Sequence, residues 1–239
     1  MRLDRFLSEM GTGTRNEIKK SIKAGLVTVN GVTAKDPAAK VSEDSSVTYK
    51  GSTVQYEEFV YYMLNKPAGV ISASDDPRED TVVDLITEVT RKDLFPVGRL
   101  DRDTEGLLLI TNDGALAHRL LSPKHHVDKI YYAEVSGQVS EDVIDAFETG
   151  IVLPDGLECL PAELEVIDIY PDEDDTVTSV RVTIREGKFH QIKRMFSAIG
   201  CEVLYLKRLS MGPIELDPAL AEGDYRRLSN EEISQLKSL

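Results

Sequence analysis

The sequence has few of the residues that build cross-links or metal sites, and it has no long apolar run. Its two cysteines, Cys159 and Cys201, make neither a disulfide framework nor a zinc site. No apolar stretch approaches the roughly 18 residues of a membrane span, and the amino-terminal segment lacks the apolar core of a signal peptide. Metal-ligand spacing is also missing among the histidines, which are His118, His125, His126 and His190. We therefore expect a reduced, cytoplasmic, metal-free protein.

The chain also lacks an overall excess of basic residues. It carries 28 lysines and arginines against 42 acidic residues, a net charge of −14, which taken alone argues against a nucleic-acid partner. The distribution modifies this conclusion. Residues 1–58 carry nine basic and eight acidic residues, and residues 185–208 carry six basic and two acidic ones. A local excess of four positive charges in an acidic body is typical of a site for an anionic substrate, although a basic surface without a partner is the alternative.

The first 58 residues contain clear helix and turn signals. Thr14 and Glu17 have the spacing of a capping box, which predicts a helix from there to Ala24 with Gly25 as its stop. Asn30-Gly31 lies between two short β-branched runs and predicts a hairpin with a type I′ turn. Basic residues recur every fourth position on the helix and so share one face: Arg15, Lys19 and Lys23. A basic helix beside a hairpin suggests a small RNA-binding module, while a solvated helix face is the alternative.

The rest of the chain is rich in predicted strands. Residues 50–58 are polar, so we interpret them as a linker and place a domain boundary after residue 58, giving domains 1–58 and 59–239. Strands are predicted over 59–65, 107–110, 129–135, 164–170 and 176–184, and helices from Asp113, over 140–149 and over 187–200. The acidic residues 171–175 predict a solvated hairpin tip. The fold class is therefore α+β, with a mixed, mainly antiparallel sheet in the larger domain.

Residues 98–114 are the most informative segment. Arg99, Asp101 and Asp103 alternate, so an extended backbone would put all three on one face. The apolar run 107–110 follows at once and predicts a buried strand. Charges beside such a rigid element cost desolvation energy unless they are paired, so this arrangement indicates a site.

Two further segments could complete that site. In residues 187–200 the helical period places Phe189, Ile192, Phe196 and Ile199 on a buried face. The opposite face carries His190, Lys193, Arg194 and Ser197, whose cations need a counter-charge or an anionic ligand. Tyr131 and Tyr132 adjoin each other on a predicted strand, so one of them faces inward, where it could stack on a base or simply fill the core.

Together these segments resemble the pseudouridine synthases that act on ribosomal RNA. The resemblance rests on Gly98-Arg-Leu-Asp101-x-x-Thr104-x-Gly106, on Lys66-Pro-Ala-Gly69, on Lys129-Ile-Tyr131 and on residues 187–195. The His190-Gln-Ile-Lys193 pattern is similar to the small-subunit (16S) branch, often called RsuA-like, whereas the large-subunit branch tends to have asparagine-arginine at positions 189–190. Residues 2–7, the basic helix and residues 27–31 resemble the RNA-binding domain named after ribosomal protein S-four.

The resemblance implies a role for each matching residue. Asp101 would be the essential carboxylate, Tyr131 would stack on the target uracil, and Lys193 would pair with Asp101 where many relatives carry arginine. Arg99 would hold the RNA near the flipped nucleotide, and Leu206 would line the base pocket. His190 and Arg194, together with the basic helix residues Arg15, Lys19 and Lys23, would contact RNA. The isomerisation needs no cofactor, and the partner implied is ribosomal RNA or an assembly intermediate, bound by a monomer.

Three alternatives stay open at this point. The chain could act on large-subunit RNA, or it could be a non-catalytic ribosome-assembly factor that keeps the fold. A glycosidase using Asp101 and Asp103 is a third reading, since alternation gives the two carboxylates a plausible separation. That reading does not explain the RNA-binding module or the basic helix.

Overall fold

A computed structural model describes residues 1–88, 91–172 and 175–239. The chain divides into two compact units, one of Met1–Val60 and Ile86–Leu94, the other of Tyr61–Leu85 and Phe95–Leu239. The first unit therefore contains Ile86–Leu94 in addition to the amino-terminal residues, and the domain boundary after residue 58 stays a prediction. None of the helices in the described ranges has the length and apolar character that a membrane crossing needs.

The first unit packs two helices on a small sheet of strand order β2-β1-β3-β4. Its elements are α1 (Leu3–Glu9), α2 (Arg15–Lys23), β1 (Val27–Val29), β2 (Val32–Thr33), β3 (Val47–Tyr49) and β4 (Ser52–Val54). The capping box predicted for α2 is present, and Ile18 and Ile22 are fully buried. Each such side chain contributes about 2 kcal/mol by burial, against about 1 kcal/mol for a cap, so packing dominates the stability of α2.

One turn predicted for this unit is present, and one segment predicted as a linker contains a turn and a strand. Asn30 and Gly31 both have positive φ, as a type I′ hairpin turn requires, which confirms that prediction. The linker predicted over residues 50–58 is wrong at its start, because β4 lies within it and pairs with β3. Lys50 and Gly51 also have positive φ and form a second tight turn, and a solvent-facing edge strand can be polar.

The second unit is built on one large sheet of strand order β13-β5-β7-β11-β8-β10-β9, with β6 beside β7 and β12 beside β11. Its strands are β5 (Tyr61–Lys66), β6 (Phe95–Pro96), β7 (Glu105–Thr111), β8 (Lys129–Ser136), β9 (Glu163–Asp172), β10 (Asp175–Ile184), β11 (Val203–Met211), β12 (Ile214–Glu215) and β13 (Tyr225–Arg227). Its helices are α3 (Gly114–Leu121), a 3-10 turn (Pro123–His125), α4 (Glu141–Thr149), α5 (Gln191–Ala198) and α6 (Asn230–Lys237).

This architecture confirms the α+β class with a mainly antiparallel sheet. Among the described strands the pairing is antiparallel apart from β7 with β11, which run parallel. One face of the sheet packs Met63, Leu107 and Leu109 against Leu116 of α3 and Leu236 of α6. Residues 173–174 at the tip of the predicted acidic hairpin lie outside the described residues.

The parallel junction depends on Gly106. A Cβ on this residue would lie 2.3 Å from the carbonyl oxygen of Arg208, and its φ of +95° suits glycine. Glycine therefore lets β7 and β11 approach each other where β7 begins. This is the physical role of the glycine that ends the Arg-Leu-Asp motif, and it fixes the position of the turn just before β7.

Candidate active site

The acidic motif forms a turn and does not lie on a strand. Residues 97–104 connect β6 to β7, and the amide of Thr104 donates to the carbonyl of Asp101 at 3.1 Å. The expectation that Arg99, Asp101 and Asp103 alternate on an extended backbone is therefore wrong. Short acidic side chains favour turns. A buried cation also binds the backbone carbonyls of this turn. The apolar run after it is confirmed as a buried strand, since β7 is buried from its second residue onward.

That cation is Lys66, the last residue of β5. Its side chain is fully buried, and Nζ donates to the carbonyls of Pro67 at 2.9 Å, Arg102 at 3.2 Å and Thr104 at 2.9 Å. Burial lowers the pKa of Lys66 to about 8, although the nearby carboxylate of Asp103 opposes that shift. An ammonium group has three donors, and all three are used here. Lys66 thus fixes the backbone on both sides of residue 103.

Above the turn, two carboxylates and two basic side chains meet. Lys193 Nζ lies 2.5 Å from Asp103 Oδ1 and 3.7 Å from Asp101 Oδ2. His190 Nε2 lies 3.4 Å from Asp101 Oδ1. The Lys193 hydrogen bond holds the pKa of the Asp103 carboxyl below its ordinary value. Lys193 therefore contacts both carboxylates, and its hydrogen bond goes to Asp103 and not to Asp101, the partner that the resemblance implied.

The helix that carries Lys193 is shorter than the sequence predicted. Helix α5 begins at Gln191, and Gly200 follows it with φ of +85°, as expected of a stop. Ile192 and Phe196 are buried as predicted, but Phe189 is 72% exposed because it precedes the helix. The helical period was extended one turn too far toward the amino terminus, so Phe189 was placed on the wrong face.

A hydrogen bond between two buried side chains, Gln191 and Glu186, fixes the segment that precedes α5. Gln191 Nε2 donates to Glu186 Oε1 at 2.8 Å, and Gln191 Oε1 accepts from the amide of Lys188 at 3.0 Å. Glu186 also accepts from the amide of Leu160 at 2.9 Å. These contacts fix the backbone over residues 186–191 and thereby the position from which His190 and Lys193 reach the carboxylates.

Tyr131 lies in a row of residues that crosses the sheet on one face. Cross-strand partners follow one another through Lys66, Gly106, Arg208, Tyr131 and Val182. Tyr131 is buried, which confirms that one of the two adjacent tyrosines faces inward. Strands are spaced by about 5 Å, so Tyr131 lies about 10 Å from β7, at the level where the aspartate turn enters that strand.

Strand β11 contributes Arg208 to this row and places Leu206 beside it. Leu206 is buried and pairs with Ala133, two residues beyond Tyr131 on the same face of β8. Arg208 is also buried, and its Nε donates to the carbonyl of Leu107 at 2.7 Å. The Nη2 atom of Arg208 has no hydrogen-bond partner among the described residues. The sequence alone assigns no individual role to Lys66 or Arg208. Lys66 lies in the Lys66-Pro-Ala-Gly69 segment that resembles the family, which could have pointed to it, whereas Arg208 is only one of the basic residues within 185–208.

Some of the basic residues within 185–208 form ion pairs with carboxylates of the protein itself. Arg194 Nη2 lies 2.5 Å from Asp155 Oδ2, and Arg185 Nε lies 2.9 Å from Asp128 Oδ1. Arg99, by contrast, is exposed on the turn. In the first unit the basic helix residues also face solvent, and no ion pair holds any of them within the described ranges: Arg15, Lys19 and Lys23.

No cluster of three or more histidine, cysteine or acidic side chains in residues 1–88, 91–172 and 175–239 has the arrangement of a metal site. The chemistry available at this site is that of two carboxylates beside two basic side chains. An anion-binding and nucleophilic centre can be built from such a set.

Comparison with known proteins identifies both units. The family model described as RNA pseudouridylate synthase matches residues 60–198, and the S4 domain model matches residues 1–47. An RNA pseudouridine synthase of Bacillus subtilis is 51% identical over 238 residues, covering 99% of this chain and 98% of the relative. Ribosomal small subunit pseudouridine synthase A of Vibrio cholerae is 42% identical over 237 residues, covering 99% of each. A crystal structure of a pseudouridylate synthase matches with a TM-score of 0.68 and 37% identity over 99% of both chains.

Proposed function

The chain belongs to the RNA pseudouridylate synthase family, and we propose that it converts one uridine of small-subunit ribosomal RNA to pseudouridine. The family and the amino-terminal S4 domain expected from the sequence are both confirmed. The observation that carries the proposal is the cluster in which Lys193 and His190 meet Asp101 at the start of β7. A decayed, non-catalytic relative would not need to keep this cluster together.

Asp101 is the catalytic carboxylate of the proposal. The isomerisation breaks the bond between the ribose and N1 of uracil, rotates the base and joins C5 to the ribose. C5 then loses its proton, and N1 carries one in the product. Attack on the anomeric carbon, addition to C6 and removal of the ribose 2′ proton each need one unprotonated carboxylate. Lys193 balances the charge of that carboxylate, and Lys66 fixes the turn that presents it. No redox step or group import occurs, so the proposal includes no cofactor.

Tyr131 and Leu206 form the base pocket in this proposal. The target uridine must leave its stack to reach Asp101, which costs a few kcal/mol and favours loosely structured RNA. The ring of Tyr131 would stack on the uracil, and Leu206 would form an apolar wall beside it. Leu206 on β11 and Tyr131 on β8 share one face of the sheet, about 5 Å and about 10 Å from β7, which supports this arrangement because a flat base could lie between them and the aspartate turn.

RNA binding is assigned to both units. In the first, the exposed face of Arg15, Lys19 and Lys23 would contact phosphates and orient the protein without reading bases. In the second, the exposed Arg99 would hold the strand near the flipped nucleotide. We keep Arg194 and His190 as RNA contacts, with Arg194 exchanging its contact to Asp155 for a phosphate.

The small subunit is the proposed source of the substrate because full-length relatives carry that substrate in their names. The asparagine-arginine pair typical of the large-subunit branch is replaced by Phe189-His190. A ribosomal substrate would place the protein in the cytoplasm, and we assume a monomer as the acting species.

The test is a map of pseudouridines in ribosomal RNA from cells with and without this gene. One small-subunit position should lose its modification in the deletion strain and regain it when the wild-type gene is restored. Loss at a large-subunit position would contradict the substrate assignment alone. An unchanged map would contradict the proposed function.

A further inference from the structure

Phe189 is the exposed aromatic residue closest in sequence to the catalytic cluster. It is 72% exposed, and its ring stacks on that of His190 with centroids 3.8 Å apart and planes inclined by 17°. One face of Phe189 is thus covered by His190, and the high exposure leaves its other face open to solvent. An apolar ring in this position gains nothing from the core of the protein.

The backbone holds this pair in place. His190 has φ of +47° and ψ of +36°, a left-handed conformation that is uncommon for a residue with a side chain. The turn is closed by the amide of Gln191, which donates to the carbonyl of Lys188 at 3.2 Å. Residues held in such conformations cluster at functional sites. Here the conformation directs Phe189 away from the core while His190 reaches Asp101.

Contact with Asp101 links the aromatic pair to the reacting nucleotide. His190 Nε2 lies 3.4 Å from Asp101 Oδ1, and Phe189 stacks directly on the same imidazole. Any RNA whose uridine meets Asp101 must therefore pass close to the open face of Phe189. Bases in unpaired RNA bind proteins mainly by stacking on aromatic rings, with little dependence on sequence.

We propose that Phe189, supported by His190, stacks on the nucleobase next to the target uridine and keeps the opened strand in place. This inference rests on the proposed function, since it names a further contact of the same substrate. It assigns Phe189 to substrate binding and not to chemistry. Stacking should therefore contribute to KM and leave the rate at saturating RNA unchanged.

The experiment compares wild type with Phe189→Leu and Phe189→Trp on deproteinised small-subunit RNA from the deletion strain. Phe189→Leu keeps apolar bulk but loses the π face, and should raise KM about tenfold with unchanged kcat. Phe189→Trp should stay within about twofold of wild type in KM, because it restores the π face. Ile167→Ala is the matched control, since Ile167 is also an exposed apolar residue of the second unit and should leave KM unchanged.

RNA affinity is measured on the same samples, and thermal melting checks that each variant is folded. Equal KM and equal affinity for wild type and Phe189→Leu would overturn the stacking. Equally weak RNA binding by Phe189→Leu and Phe189→Trp would also overturn the stacking. The shape of the side chain at this position, and not its aromatic face, would then determine the affinity. A wild-type protein that forms no pseudouridine would contradict the proposed function, while its affinity relative to Phe189→Leu would still test the stacking.

Discussion

Lys193 donates its hydrogen bond to Asp103, with 2.5 Å between Nζ and Oδ1, while its distance to Asp101 Oδ2 is 3.7 Å. The ammonium group is therefore shared unequally between two carboxylates of one turn. Asp103 is far more exposed than Asp101, with 73% of its side chain accessible against 26%. Asp103 thus binds Lys193 from the solvent-exposed side, and the less exposed Asp101 accepts no hydrogen bond from this ammonium group.

The shared ammonium predicts the behaviour of Lys193 variants. Lys193→Met removes the charge beside Asp101 and should lower kcat about a hundredfold, because a charged group near developing charge contributes to the transition state. Lys193→Arg should keep most of the activity, since a guanidinium can contact both carboxylates at once. Single-turnover kinetics on small-subunit RNA measures both. Full activity of Lys193→Met would exclude an electrostatic role for this residue.

Lys66 provides a second test, because it acts on the turn and not on the substrate. Lys66→Met keeps the length of the side chain but releases the carbonyls of Arg102 and Thr104. A turn displaced by about 1 Å can cost about a hundredfold in rate, so kcat should fall by that order while RNA affinity is retained. The measurement is kcat at saturating RNA, with affinity measured separately. A loss confined to affinity would contradict the positioning role.

The same lysine predicts a dependence of stability on pH. Its pKa is lowered from 10.5 to about 8 in the folded protein, so between these values the unfolded chain binds more protons. The free energy of unfolding should therefore rise with pH over this interval, by up to about 3 kcal/mol from Lys66. The contribution of Lys66 is isolated by comparing the urea unfolding of wild type and Lys66→Met at pH 7.5 and 10. Burial also lowers the pKa of Lys129, but this effect is common to both proteins and cancels in the comparison. An equal change in the free energy of unfolding between pH 7.5 and 10 in the two proteins would contradict the predicted contribution of Lys66.

The basic helix of the first unit predicts a salt effect. Changing Arg15, Lys19 and Lys23 to glutamine removes three exposed charges without touching buried residues. The affinity for ribosomal RNA should fall, and the negative slope of log K against log salt should become shallower by about 2 if these residues contact phosphates. Changing the exposed Lys35 and Lys40 of the same unit is the control. An unchanged slope for the triple variant would assign RNA binding to other surfaces.

Much of this fold could be predicted from the sequence because local signals and burial agree there. The capping box of α2, the Asn30-Gly31 turn and the apolar strand β7 each depend on residues adjacent in the chain. The alternation of β8 likewise showed that one of two neighbouring tyrosines faces inward.

The errors arose where distant residues decide the local conformation. Arg99, Asp101 and Asp103 have the alternation of a strand, but Lys66 of another strand holds the backbone of this segment in a turn. Phe189 fits the helical period, but the helix starts after it, at Gln191, which is bound by Glu186, and Glu186 also accepts from the distant amide of Leu160. No sequence pattern records the contacts of Lys66 and Leu160, since these residues meet their partners only in the folded chain.

The central claim is that Asp101 is the catalytic carboxylate, and Asp101→Asn tests it most directly. The variant keeps the size of the side chain and its position on the turn but removes the charge. Pseudouridine formation on small-subunit RNA should fall at least about thousandfold, while RNA affinity and melting temperature stay within error of wild type. Asp103→Asn, which changes the exposed carboxylate of the same turn, should retain measurable turnover. Turnover by Asp101→Asn at the wild-type rate would contradict the account.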